Sequence, residues 1–142
     1  MMDKTSYLNI AAELDNLIEV RRFVEQEALV KGASEQTITD MVMAVDEAVT
    51  NIIIHGYRGQ PGSIEVLVAY DQETLIVAVR DRSPAFDPNS VPPPDLTLPL
   101  EQRPIGGLGI YIMRQLTDAL VYRPEVDGRN ELMLIKKDFR KP

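Results

Sequence analysis

The chain contains no cysteine. That removes disulfides, iron–sulfur clusters, cysteine-type zinc sites and a thiol nucleophile. Histidine is almost as scarce: His55 is the only one, which excludes every multi-histidine metal site. No apolar run approaches the ~18 residues that a membrane span needs; the longest useful one covers residues 75–79, and no charged-then-apolar leader is visible. Positive charge is short as well, with 15 Lys and Arg against 22 Asp and Glu and a net charge of −7. A general nucleic-acid or anionic-membrane binder is normally basic, so direct contact with nucleic acid or membrane is not expected. What is there amounts to 142 residues, 44% apolar and 26% charged. This suits a single domain, 1–142, that can bury a core. The expectation is a soluble, acidic, cytoplasmic domain whose chemistry rests on carboxylates, amides, hydroxyls, backbone and a bound ligand.

Turn-forming residues are distributed unevenly. Seven of the ten prolines lie between Pro84 and Pro104, and three of the eight glycines between Gly106 and Gly109. Residues 7–14 alternate loosely, as a strand would. Residues 17–30 carry Leu17, Val20, Val24 and the pair Ala28 and Leu29 at helical spacing, with Gly32 as a stop. Ser34 is a good N-cap for a second helix reaching about His55, with Met41, Val45, Ala48 and Ile52 as its core stripe. Residues 63–70 and 74–80 are β-rich and separated by Asp71-Gln72-Glu73, as in a hairpin. Residues 81–104 form a long proline-rich loop, a length that compact domains reserve for lids and binding loops. Residues 107–116 look helical, and 119–123 and 131–137 form a last hairpin around Asp127-Gly128. The order β-α-α-β-β-loop-α-β-β predicts an α+β fold: a two-layer α/β sandwich with a mixed, largely antiparallel sheet and helices on one face.

Four features can carry chemistry. Glu47 and Asn51 are four apart on the second helix, so they project from one side, next to the apolar stripe. A carboxylate and an amide there can orient a hydroxyl and coordinate Mg²⁺ through oxygen; the plainer alternative is a solvated helix edge. Asp81 ends an apolar strand, where it can accept a hydrogen bond from a ligand amine or merely cap a turn. Gly106-Gly107-Leu108-Gly109 leads into a helix whose free N–H groups suit phosphate, or is only a flexible entry to that helix. No Gly-Lys-Ser/Thr follows, so this is not a Walker loop. His55, at a helix end, is expected to be a cap or core residue rather than a phosphoacceptor.

The order of these features resembles a known family. Ala44-Val45-Asp46-Glu47-Ala48-Val49-Thr50-Asn51-Ile52-Ile53-Ile54-His55-Gly56-Tyr57 resembles the N-box of bacterial anti-sigma-factor serine/threonine kinases. These belong to the histidine-kinase-like (GHKL) ATPases, together with gyrase, Hsp90 and MutL. Val79-Arg80-Asp81-Arg82-Ser83-Pro84-Ala85-Phe86-Asp87-Pro88 resembles the adenine-binding box, Gly106 to Met113 the glycine box, and Gly128 to Leu134 the closing strand. The resemblance runs from about residue 10 to 137. It implies a Bergerat-type ATP-binding fold with an ATP lid at about 82–106. Glu47 would be the catalytic base, and Asn51 would hold Mg²⁺. Asp81 would accept the adenine amino hydrogen, with Ser83 and Phe86 in the same box. Arg103, Gly106, Gly107, Leu108 and Gly109 would surround the phosphates. ATP would be the donor and ADP the product. The implied substrate is an anti-sigma-factor antagonist protein, the competing partner an RNA polymerase sigma factor, and the assembly a homodimer.

One position departs from the pattern: Ser83 stands where the family has glycine. Glycine there allows close approach to the base and an unusual backbone angle, whereas a Cβ costs about 1 kcal/mol if φ is positive. This is the ground for an alternative, a non-catalytic partner-binding module of the same fold with weak or no ATP binding. A third possibility is an isolated histidine-kinase ATPase domain, which the N-box and short lid disfavour. Charge is also uneven. Residues 1–104 carry 8 basic and 17 acidic side chains, and residues 105–142 carry 7 and 5. The glycine-box end is therefore the less repulsive to a triphosphate, and nucleotide binding should depend strongly on metal.

Overall fold

Helices form where the apolar spacing calls for them. In the computed structural model, which describes residues 5–84, 97–99, 107–124 and 127–142, α1 spans Leu17–Val30 and α2 spans Glu35–Asn51. Ser34 caps α2 as expected, its Oγ accepting the Thr37 N–H at 3.2 Å. The buried face of α2 is wider than a single stripe: Thr37, Met41, Ala44, Val45, Ala48 and Val49 are all buried, while Ile52 is only half-buried. In α1, Val20, Val24 and Ala28 face the core. Leu29, grouped with Ala28 on spacing, is 63% exposed. Adjacent helical positions lie about 100° apart, and the narrower buried face of α1 takes in Ala28 but not Leu29.

Among the described residues, five strands form one sheet: β1 (Ser6–Ala11), β2 (Ser63–Asp71), β3 (Thr74–Asp81), β4 (Ala119–Pro124) and β5 (Asn130–Lys137). Their order is β1-β2-β3-β5-β4, and each of the four pairings is antiparallel. β1 is shorter than the pattern over residues 7–14, because a 3₁₀ turn takes Leu14–Asn16. The β2–β3 hairpin closes with Asp71 opposite Thr74, leaving Gln72-Glu73 as a two-residue loop. Gln72 takes the positive φ of 55° that such tight loops require. α3, Gly107–Leu116, falls where the sequence placed a helix.

Among the described residues, α1, α2 and α3 all lie on one face. α1 packs over β1 and β2, α2 over β3 and β5, α3 over β4, and α2 lies between the other two helices. Alternation along the strands supplies the matching surface. Ile64, Val66 and Val68 of β2, Leu75, Val77 and Val79 of β3, and Leu132 and Leu134 of β5 join the helices in one apolar core. The opposite face carries a charged row, with Arg80 Nη1 3.0 Å from Glu65 and Arg80 Nε 2.7 Å from Glu131. Past β5, Phe139 is fully buried, and its carbonyl accepts the Ser34 N–H at 2.9 Å. The C-terminal segment thus ties down the α1–α2 junction, a role the sequence did not reveal.

These positions set expectations for unfolding. Leu75→Ala, at a fully buried site, should cost about 2–5 kcal/mol. Leu29→Ala should stay within about 0.5 kcal/mol of the parent. Urea unfolding with an unchanged m-value checks both.

Candidate functional site

The rotation of α2 about its axis places Glu47 and Asn51 on the flank that meets α3. The closeness is set at Gly109. A Cβ on Gly109 would stand 2.8 Å from Glu47 Oε2 and 3.6 and 3.7 Å from the amide atoms of Asn51. A side chain there would displace the Glu47 carboxylate, so glycine lets it lie directly against α3. The first turn of α3, with its unpaired N–H groups and positive dipole end, therefore lies against these two polar side chains. Leu108 is half-buried in that turn, and Ile110 after it is buried in the core.

Two neighbouring carboxylates have divided tasks. Asp46 turns toward α1, where Arg21 Nε donates to its Oδ1 at 2.6 Å. Glu47 turns toward α3. Burial pushes the Glu47 carboxyl above its ordinary value, and repulsion from Asp46 acts in the same direction. That suits a general base. Among the described residues no three His, Asp or Glu side chains converge as a metal cluster. The Asn51 amide oxygen beside the Gly109 gap is a hard donor of the kind Mg²⁺ takes when phosphate oxygens complete its shell. The residues present therefore fit a nucleotide-borne Mg²⁺.

The helix does not stop at Asn51. It continues as a π-helical turn over Ile52–Gly56, with the Tyr57 N–H donating to the Ile52 carbonyl at 2.8 Å. Such wide turns cluster at functional sites. His55, in the last turn of this segment, is exposed rather than part of the core. Tyr57 joins the turn to two strands: its hydroxyl donates to the Ser63 carbonyl at 2.7 Å and accepts the Arg82 N–H at 2.8 Å.

Gly56 ends this turn against the second polar cluster. Asp81, Ser83 and Asn130 are each buried, at 7%, 8% and 6% exposure. Asp81 Oδ1 accepts from the Ser83 N–H at 2.8 Å, from Ser83 Oγ at 2.5 Å and from Asn130 Nδ2 at 3.2 Å. Both sequence-based roles for Asp81 thus remain compatible, since one oxygen caps a turn and the other is left over. Ser83 is not among the positive-φ residues, which outside glycine are Arg58, Gln72 and Asp138 among the described residues. The strain that a serine would carry in a left-handed glycine position is absent. Its side chain instead fills the space over Gly56, where a Cβ would lie 2.5 Å from Ser83 Oγ and 3.0 Å from Ser83 Cβ.

Glu47, Asn51 and Gly109 come together, and Asp81 and Ser83 come together at the other end of the same helical segment. Gly107 opens α3. Phe86, Arg103 and Gly106, with most of the segment at 82–106, lie outside the described residues. Sequence reasoning missed Asn130, Gly56 and Tyr57 as site residues. A signal for Asn130 existed: it shares the parity of Leu132 and Leu134, so a polar residue stands in an apolar row.

The contact between Gly56 and Ser83 is open to test. Gly56→Ala should destabilise by about 1–3 kcal/mol. Ser83→Gly should relieve part of that cost, giving a coupling of about 0.5–3 kcal/mol in a double-mutant cycle. Strictly additive unfolding energies would show that the two do not touch.

Comparison with known proteins bears on the family and the fold. The family described as "Histidine kinase-like ATPase domain" matches residues 10–136. Serine-protein kinase RsbW of Bacillus cereus (strain AH187) is 31% identical over 115 residues, covering 78% of this chain and 72% of that protein. RsbW of Bacillus thuringiensis subsp. konkukian (strain 97-27) matches at the same identity and coverage. A crystal structure of the RsbU and RsbW domains of a Mycobacterium tuberculosis protein superposes with a TM-score of 0.67 at 20% identity. It covers 95% of this chain, which spans 32% of that one, and bears on the fold alone. With the helix pair, the closing sheet and the matched sequence in place, the chain belongs to the RsbW-like anti-sigma-factor serine kinase family of histidine kinase-like ATPases.

Proposed function

We propose that this protein is an ATP- and Mg²⁺-dependent protein serine/threonine kinase. It phosphorylates an anti-sigma-factor antagonist, releases ADP, and sequesters an RNA polymerase sigma factor in a partner-switching circuit. The observation that carries the proposal is the packing of α3 at Gly109 against Glu47 and Asn51, so close that an added Cβ would stand 2.8–3.7 Å from their side-chain atoms. It gathers a carboxylate, an amide and a helix N-terminus in one place. Phosphoryl transfer requires positioning and charge neutralisation more than covalent help from the protein.

In this reading Asp81 Oδ2 accepts the adenine amino hydrogen. The N–H groups at the start of α3 bind phosphate oxygens. Asn51 holds Mg²⁺, which when bound neutralises charge on the triphosphate. Glu47 takes the proton of the substrate hydroxyl as that oxygen bonds to the γ-phosphorus, and the bond from the γ-phosphorus to the bridging oxygen breaks to leave ADP. Phe86, Arg103, Gly106, Gly107 and Leu108 complete the site by resemblance to the family. The binding-module alternative drew part of its support from backbone strain at Ser83, and no positive φ is found there. No helix among the described residues is long and apolar enough to cross a membrane; a cytoplasmic location is part of the proposal. Homodimer formation is proposed through β1, which is an edge strand of the sheet.

Mg-ATP should raise the melting temperature; at about 100 times Kd the stabilisation is about 2.7 kcal/mol. No shift at millimolar Mg-ATP would return the protein to a pure binding module. Glu47→Gln should abolish phosphate transfer to the antagonist while leaving ATP affinity nearly intact, and retained transfer would remove Glu47 from the base role. The base works deprotonated, so transfer should fall as pH drops through the raised Glu47 pKa, above the ordinary value of 4.5. Asp46→Asn removes a like charge and should move that acid limb to lower pH. A pH–rate profile of each variant decides it. The phosphate formed should be acid-stable; an acid-labile product would indicate histidine.

A further inference from the structure

The buried cluster around Asp81 contains more polar groups than a strand end needs. We propose that Asn130 and Ser83 are positioning residues that clamp Asp81 Oδ1, fix Oδ2 toward the ligand, and so make the pocket select a 6-amino purine over a 6-oxo purine. This rests on the nucleotide-binding reading above.

A carboxylate on a short side chain can turn about its last torsion and present either oxygen. Here the choice is settled. Among the described residues, every hydrogen bond to Asp81 falls on Oδ1: Ser83 N–H, Ser83 Oγ and Asn130 Nδ2. The plane of the group is fixed, and the lone pairs of Oδ2 remain for a ligand. The clamp is itself held. Asn130 Nδ2 also donates to the Ser83 carbonyl at 2.7 Å, and Asn130 Oδ1 accepts from the Tyr122 hydroxyl at 3.1 Å. Turning the amide over would set its oxygen against a carboxylate and a carbonyl together. The donor end therefore faces Asp81.

Position follows from the sheet. Asn130 is the register partner of Asp81 across β3 and β5, on the helix-facing side. Ser83 comes from the other direction and rests on Gly56. With both neighbours donating into the same oxygen, Oδ2 is a preorganised acceptor. An exocyclic amine can donate to it, whereas a 6-oxo group would bring oxygen to oxygen. A site built around one hydrogen bond rejects the analogue that cannot make it. The serine that departs from the family pattern thus contributes a donor to the clamp.

The test uses the full chain and titration calorimetry with Mg-ATP and Mg-GTP. Two variants separate the parts. Asn130→Asp keeps the volume and replaces the donor by an acceptor. Ser83→Ala removes one hydroxyl and nothing else. Each should weaken Mg-ATP binding about tenfold while leaving Mg-GTP binding unchanged, so the ATP-to-GTP affinity ratio should fall about tenfold. A merely structural role would weaken both nucleotides alike. An unchanged ratio in Ser83→Ala, or in folded Asn130→Asp, overturns the clamp; if Asn130→Asp does not fold, Ser83→Ala alone decides. Wild-type protein that binds neither nucleotide would instead overturn the kinase proposal, a different result from wild-type ATP binding with an unaltered ratio in the variants.

Discussion

The packing of α2 across β3 and β5 governs the rest of the molecule. Its buried face, from Thr37 through Val49, fixes the rotation of the helix about its axis. Every polar position on α2 then has an assigned direction. Asp46 turns to Arg21 on α1, Glu47 and Asn51 turn to Gly109 on α3, and the π-helical extension delivers Gly56 to Ser83. A rotation by one residue would exchange Asp46 and Glu47. The apolar stripe is thus a positional constraint on the polar site, as well as a source of stability.

Electrostatics follow from that placement. The chain carries a net charge of −7, which opposes a triphosphate. Opposition is reduced locally in three ways. The glycine box lies in the part of the sequence with more basic than acidic residues, α3 presents its positive end, and the Asp46 charge is partly answered by Arg21. Glu47 remains the carboxylate whose proton affinity is raised by burial and by its neighbour. The two adjacent acids are alike in composition and separated in role by packing alone.

How much of this was legible in the sequence depended on range. Residues 17–30 and 107–116 were readable as helices because helical periodicity is local, and α1 and α3 occupy those residues. The hairpin around Asp71 and Glu73 was readable for the same reason. Ala28 and Leu29 were readable only as a pair at helical spacing, and packing buries the first and exposes the second. His55 was expected to cap or be buried, and the wider π-helical turn leaves it exposed. Ser83 looked costly because one family position prefers glycine; its observed backbone carries no left-handed strain.

The sequence by itself determined the elements, their order and the pairing of Glu47 with Asn51, because each follows from spacing within a few residues. Its motifs also sufficed to point to the family. Only the tertiary structure decided which residues meet. Asp81 and Asn130 face each other through strand register, 49 residues apart. Glu47 meets Gly109, and Gly56 meets Ser83, through helix and loop packing. Such contacts depend on how separate elements dock. Docking is set by the summed shape of many buried side chains, which no local pattern in the chain records.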